Sequence, residues 1–274
     1  MKSKGLHANN RFASGYNFDT LIEDYSRLAD FVITNPSGLQ TIDFSNSDAV
    51  KALNTALLFS YNRLRYWDFP NTNLCPAIPG RLDYLLHLSD LIGTAAPKTL
   101  LDVGTGATCI YPLLGVLEFN WSFVGSDIDA LSLRNAQYIL KQNRLNHCIE
   151  LRKQKYKADV LKGIVRKEDQ FDAVMCNPPF YKSLDEARQM NQKKSKNLGI
   201  SAGRNFSGSG HELWYPGGEK AFLHTYLYES SQIPKSSSWF TSLVSKKESV
   251  KSLHTSAEKL KVQTFKVIPM QQGK

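Results

Sequence analysis

From Thr99 onward the chain alternates short apolar runs with stretches of helical periodicity, and the clearest runs end on a glycine turn, an acid or a polar loop. Runs near 99–103, 122–126, 148–152, 171–176, 238–244 and 263–268 predict strands, with helices between most of them. Such alternation leaves few architectures open. It predicts an α/β fold with a doubly wound, mainly parallel sheet and ligands at the carboxyl ends of the strands. Upstream, helical patterns near 18–33, 47–60 and 81–92 are separated by Pro- and Asn-rich turns. The expected organisation is therefore a helical N-terminal accessory region at 1–97 and a sheet domain at 98–274.

Three strand ends carry chemistry. The first runs through Leu100, Leu101, Asp102 and Val103 into Gly104, Thr105 and Gly106, where glycines permit unusual φ values and close approach of a ligand to the backbone. A dinucleotide fingerprint needs a third glycine where Cys109 stands, so NAD and FAD are disfavoured. Asp102 then suits the cationic end of an amino-acid-like cofactor or the loop backbone, although a purely structural strand-to-helix turn has the same pattern. The second strand ends at Asp127, 23 residues after Gly104 and near the spacing at which an acid meets ribose hydroxyls. Asp127 could instead cap the next helix, a task for which Asp129 competes.

The third strand runs into Asn177-Pro178-Pro179-Phe180. Two prolines fix φ and remove donors, so the loop holds its carbonyls in one direction. The Asn177 amide oxygen and the Pro178 carbonyl can accept from an exocyclic amine, and Phe180 offers a face to a planar base. An ordinary turn is the alternative for these four residues alone.

Glycine loop, acidic strand end and Asn-Pro-Pro-Phe, in this order, resemble the S-adenosylmethionine-dependent class I methyltransferases (Rossmann-like) that modify amino groups. The flanks Leu6-His7-Ala8-Asn9-Asn10-Arg11-Phe12, Pro79-Gly80-Arg81-Leu82-Asp83-Tyr84, the stretch from Gly104 to Gly115 and Trp239-Phe240-Thr241-Ser242 narrow the match. The chain resembles the bacterial 23S (large-subunit) ribosomal RNA adenine-N6 methyltransferases, whose eukaryotic relatives methylate a spliceosomal small nuclear RNA. The resemblance runs from about Leu6 to Gly273. It implies methyl transfer from S-adenosylmethionine to N6 of a specific adenine in 23S ribosomal RNA or a large-subunit assembly intermediate. It assigns Arg81 to the methionine carboxylate, makes Gly104, Thr108, Asp127 and Asn177 cofactor contacts, and places Gln154 beside the adenine ring. Gln154 lies in a Lys- and Arg-rich run that also reads as a solvated basic face. Asp102, Thr105 and Gly106 complete the expected cofactor loop, and Asn177, Pro178, Pro179 and Phe180 the catalytic set. Methylation of DNA adenine or protein glutamine, or a non-enzymatic assembly role, are the competing readings.

The remaining features fit this frame. The chain has 34 Lys and Arg against 25 Asp and Glu, a formal net charge of +9, which favours an acidic partner such as RNA. Lys193, Lys194 and Lys196 follow the Asn-Pro-Pro-Phe loop, and Lys2, Lys4 and Arg11 lie at the N-terminus. Four cysteines at 75, 109, 148 and 176 form no Cys-x-x-Cys pair and no His cluster accompanies them, so no zinc site or disulfide framework is expected. No apolar run has the length of a membrane span and the N-terminus lacks the apolar core of a signal peptide, so a reducing cytoplasm is the expected compartment. A long polar stretch at 182–218 is expected to close over the target base by resemblance, with His211 where the family often has Asn. The stretch 267–274 reads as the first strand and turn of a hairpin whose second strand is absent, and because the family it resembles continues for at least one more strand, the last strand of the sheet is expected to be missing.

Overall fold

A computed structural model describes residues 5–95, 97–183, 185–186 and 214–270. Five strands form one all-parallel sheet: β3 (Thr99–Val103), β4 (Ser122–Asp127), β5 (Ile149–Lys153), β6 (Phe171–Cys176) and β7 (Ser237–Phe240), in the order β5-β4-β3-β6-β7. The order reverses between β3 and its neighbours β4 and β6. In a doubly wound sheet this is where a ligand crevice opens. Buried on both faces, the central strands are nearly continuous apolar runs, which is why the sequence displays them so plainly.

Helix α4 (Ile110–Phe119) follows β3, and α5 (Ala130–Asn143) follows β4. On the other side of the crevice, α6 (Gly218–Gln232) precedes β7 and packs with α7 (Lys247–Lys259). Upstream lie α1 (Phe18–Asp24), a two-stranded hairpin of β1 (Val32–Thr34) and β2 (Gln40–Ile42), α2 (Ser47–Asn62) and α3 (Ile78–Ile92). Leu21, Leu57, Leu58 and Leu85 of these elements join Leu100, Leu113, Leu114 and Met175 in a single apolar cluster. A second cluster, with Leu101, Val103, Val124, Val174, Phe222 and Tyr226, fills the α6 face of the sheet.

Three expectations need correction. The pattern at 18–33 does not make one helix. Tyr25 leaves helical geometry at φ −145°, a short 3-10 turn covers Ser26–Phe31, and the chain enters β1. Val32 and Ile33 are β-branched, and Asn35 closes the hairpin by accepting from the Ser37 and Leu39 amides at 2.9 and 3.0 Å, with Gly38 at φ +80°. The segment 263–268 is not a strand. Phe265 packs edge-on against His254 and Lys266 lies over Trp239, so side chains hold it beside β7 and α7 with no ladder partner among the described residues. The run at 238–244 is strand only to Phe240, although the Thr241 and Leu243 amides continue to donate to Val174 and Cys176.

Candidate active site

Parallel register brings the three motifs to one level. Val103 lies beside Ser126 on one side and Cys176 on the other, so the chain leaves β3, β4 and β6 at adjoining points. Neighbouring strands are about 4.8 Å apart, which places Gly104, Asp127 and Asn177 around one crevice.

The glycine loop is tied down from several directions. The amides of Gly104 and Thr105 both donate to the Ser126 carbonyl at 2.9 Å. The Gly106 amide donates to Asp127 Oδ2 at 2.9 Å, and the Asp129 amide donates to Asp127 Oδ1 at 2.8 Å. Asp127 therefore does not cap α5. That place belongs to Asp129, which accepts from the Leu131 and Ser132 amides. Gly104 at φ +79° and Gly106 at φ +65° use the freedom the sequence gives them. Cys109, at the position of the missing third glycine, also has a left-handed φ of 50° and is buried. The Ala107 carbonyl accepts from Asn135 and the Thr108 carbonyl from the Trp67 indole, at 2.9 and 3.1 Å. Thr105 and Thr108 are themselves buried.

Asp102 is 1% exposed, and neither of its carboxylate oxygens has a hydrogen-bond partner. Burial pushes its carboxyl up to about 7; Asp127 adds to the rise, while the Thr105 hydroxyl and the Arg81 guanidinium oppose it. Asn177 Oδ1 is likewise buried without a partner. Among the described residues four buried side-chain oxygens lack a hydrogen bond, and three of them are these. Buried polar atoms are normally satisfied, so this concentration leaves three acceptors open to a donor from outside the described residues.

Arg81, in the first turn of α3, stacks over Tyr111 at 5.6 Å and donates to its hydroxyl at 3.3 Å. It makes no ion pair among the described residues, which suits it to a carboxylate. Pro79 at the start of α3 fixes that turn, three residues earlier than the helical pattern suggests. Beyond β6, Pro178 is buried, Pro179 half-buried, and Phe180 is 45% exposed at the mouth.

Gln154 is not on a solvated face. It is 7% exposed, its Nε2 donates to the Lys162 carbonyl at 2.9 Å and its Oε1 accepts from the Tyr156 amide at 3.0 Å. Its polar ends organise the turn that follows β5. Glu229 of α6 supports the same turn by accepting from the Val160, Leu161 and Lys162 amides.

Several participants escaped sequence reasoning. Tyr84 on α3 meets Thr241 Oγ1 at 2.8 Å, Thr241 Oγ1 donates to the Val174 carbonyl, and the Tyr226 hydroxyl donates to the Val174 and Thr241 carbonyls. Together they brace the end of β6. Only the Arg81–Tyr84 spacing, one turn on the same helix face, hinted at this. His211, Lys193, Lys194, Lys196, Lys2 and Lys4 lie outside the described residues. Arg11 is on the surface and paired with Glu118. No three His, Cys, Asp or Glu side chains among the described residues are grouped to hold a metal ion, and no helix there is long and apolar enough to cross a membrane.

Comparison with known proteins gives a consistent result. The model of a family described as RNA methyltransferase matches residues 1–274. Ribosomal RNA large subunit methyltransferase F of Pectobacterium carotovorum is 42% identical over 282 residues, covering 100% of this chain and 91% of the relative. Its namesake in Bacteroides thetaiotaomicron is 44% identical over 288 residues, covering 98% and 94%. Among solved structures, the human Mettl16 catalytic domain in complex with MAT2A 3′UTR hairpin 1 superposes with a TM-score of 0.83 at 31% identity, over 95% of this chain and 88% of that one. The N-terminal domain of human METTL16 in complex with SAH gives 0.75 at 28% identity, over 94% and 91%.

Proposed function

The chain belongs to the RNA methyltransferase family, and from that premise we propose that it methylates the exocyclic N6 of an adenine in 23S ribosomal RNA, using S-adenosylmethionine. The observation that carries this reading is the group of unpaired buried oxygens, Asp102 Oδ1 and Oδ2 beside Asn177 Oδ1, at adjoining strand ends. An ammonium group answers the first pair, and an aromatic amine answers the second position.

S-adenosylmethionine, when bound, supplies a methyl group on a sulfonium, already electrophilic. The residues of this chain need only bind, orient and keep water away. Asp102 holds the ammonium, and Arg81, steadied by Tyr111, takes the carboxylate. The backbone of Gly104, Thr105 and Gly106 lets the cofactor approach closely, with Thr108 closing the loop. Asp127 receives the ribose hydroxyls; a carboxylate oxygen accepts more than one hydrogen bond, so its ties to Gly106 and Asp129 are compatible with that role. Gln154 offers its face to the adenine ring.

On the substrate side, Asn177 Oδ1 and the Pro178 carbonyl accept the two N6 protons. This favours a more tetrahedral nitrogen and aims its lone pair at the methyl group. Pro179 keeps the loop rigid and Phe180 stacks on the base. The methylated nitrogen is acidic enough to lose its proton to water, so the chain needs no dedicated base. The base must leave its stack, at a cost of a few kcal/mol, which favours a loop or single-stranded target in ribosomal RNA or an assembly intermediate, in the cytoplasm.

The test is transfer of labelled methyl from S-adenosylmethionine to large-subunit RNA from cells lacking the gene, followed by nucleoside analysis. Expected is N6-methyladenosine with the wild-type chain and none with Asn177→Ala, which binds cofactor more weakly but measurably. Full turnover by Asn177→Ala refutes the assigned role, and label appearing only on DNA or on a glutamine-bearing protein refutes the substrate.

A further inference from the structure

One surface of the protein is strongly basic and takes no part in the site just described. Between residues 130 and 149 there is no Asp or Glu, while Arg134, Lys141 and Arg144 are all exposed. Arg134, Tyr138 and Lys141 recur at three- and four-residue spacing, so they share one face of α5. Beside that face runs the segment that follows α2. Asn143 Oδ1 accepts from the Arg65 and Tyr66 amides at 2.8 and 3.2 Å, and its Nδ2 donates to the Tyr66 carbonyl. Higher on the helix, Asn135 Nδ2 donates to the Asp68 carbonyl, and Tyr66 meets Tyr138 edge to face at 5.2 Å. The exposed Arg65 is thus held against α5, and the exposed Arg63 lies two residues before it at the end of α2.

None of these five cations has an acidic partner among the described residues. The nearest acid in sequence, Asp68, pairs with Lys51. Arg63 and Arg144 cap the C-termini of α2 and α5 in left-handed conformations, at φ 53° and 57°. Complementing the two helix dipoles explains a cation there. It does not explain Arg65 or Arg134, nor an acid-free stretch of twenty residues. At its upper end the surface reaches the glycine loop, because Asn135 also donates to the Ala107 carbonyl. From there α5 extends about 20 Å away from the crevice at 1.5 Å per residue.

We propose that Arg63, Arg65, Arg134, Lys141 and Arg144 form a docking surface for the phosphate backbone of the substrate RNA, outside the segment that enters the crevice. The proposal rests on the RNA methylation reading above. The 50%-exposed Tyr138 offers a stacking face among the cations, as single-stranded nucleic acid requires. The arginines position the RNA and carry no base specificity.

The experiment compares wild-type protein with a variant carrying R65Q, R134Q, K141Q and R144Q. A control of equal charge change carries K246Q, K247Q, K251Q and K259Q in and beside α7. Binding is measured by anisotropy from 50 to 300 mM KCl, with an oligonucleotide limited to the methylated loop and with a longer fragment including its flanks. The first variant should bind the long fragment at least tenfold more weakly at 100 mM KCl. Its slope of log K against log salt should be shallower by about 2 to 4, at roughly 0.7 to 0.9 per lost phosphate contact. Binding of the short oligonucleotide and turnover at saturating RNA should be unchanged. Arg134→Glu alone should show the same selectivity and guards against misfolding of the multiple variant.

An unchanged slope on the long fragment overturns the proposal, as does equal weakening on both RNAs or an equal loss in the α7 control. Loss of binding to polyglutamate with RNA binding intact would also overturn it, in favour of an acidic protein partner. If the wild-type chain methylates neither RNA, the methylation reading fails first and separately.

Discussion

Replacing Asp102 by Asn should stabilise the ligand-free protein in a way that depends on pH. Asp102 is fully buried, its oxygens are unpaired and its carboxyl is raised to about 7, against roughly 3.9 in an unfolded chain. The raised value means that the folded state binds the proton more tightly. Stability from this group is therefore highest below the unfolded value and falls as pH rises through the window from about 4 to 7. Three units correspond to about 4 kcal/mol across the whole window, and roughly 3 kcal/mol of it falls between pH 5 and 8. The Asn amide does not titrate but leaves its own buried groups unpaired, at about 1–3 kcal/mol. At pH 8 the variant should still gain about 1–3 kcal/mol. The cleaner quantity is the double difference, in which every other titrating group cancels. Urea unfolding of both proteins at pH 5, 6, 7 and 8 measures it. The wild type should lose roughly 3 kcal/mol relative to the variant between the extremes, and S-adenosylhomocysteine should stabilise only the wild type. Parallel pH profiles would show that Asp102 is not an unpaired buried carboxyl, and the argument for a cationic ligand there would collapse.

Other outcomes follow from the same contacts. A Cβ on Gly115 of α4 would come within 2.2 and 2.4 Å of the buried Phe123 ring, so Gly115→Ala should cost about 2 kcal/mol despite the better helix propensity of alanine; a urea midpoint at or above wild type contradicts this. Glu229→Gln removes a charge-assisted acceptor from three amides, and hydrogen exchange at Val160, Leu161 and Lys162 should speed about tenfold or more, with unchanged rates showing that the turn stands without it. Arg81→Lys keeps the charge but loses the planar fork, so the apparent KM for S-adenosylmethionine should rise about tenfold with kcat little changed; an unaltered KM removes Arg81 from the cofactor site.

What the sequence could and could not display follows from how far its contacts reach. The central strands were legible because each is a local apolar run with a glycine, an acid or a proline at its end, and parallel register does the rest. Asp127 was harder. Its tie to Gly106 is 21 residues long, while Asp129 satisfies the local capping pattern only two positions away. The brace around β6 joins Tyr84 to Thr241 across 157 residues, and no periodicity carries that information. The hairpin at 32–42 was hidden for the opposite reason. Apolar residues at 28, 31, 32 and 33 satisfy helical spacing as well as a strand, and the Asn35 turn decides between them. Likewise, the segment carrying Arg63 and Arg65 meets α5 only through long-range contacts of Asn135, Tyr138 and Asn143, so the basic surface has no signature in any one stretch.

The elements around the crevice obey the ordinary rules of helix capping, apolar burial and paired backbone groups, and the departures gather at one place. Asp102 and Asn177 sit on adjacent strand ends whose neighbours are over-determined: Ser126 accepts two amides, Asp127 pins the loop, and Tyr84, Thr241 and Tyr226 fix the end of β6. A flexible site could relieve unpaired oxygens by turning them to water or to a neighbouring donor. Here the supporting contacts forbid that relief, so the cost of burying them persists in the free protein and is recovered only when a donor arrives. A binding site built this way favours ligands that present ammonium or N–H donors over ones of the same shape without donors, because only the former satisfy the buried acceptors.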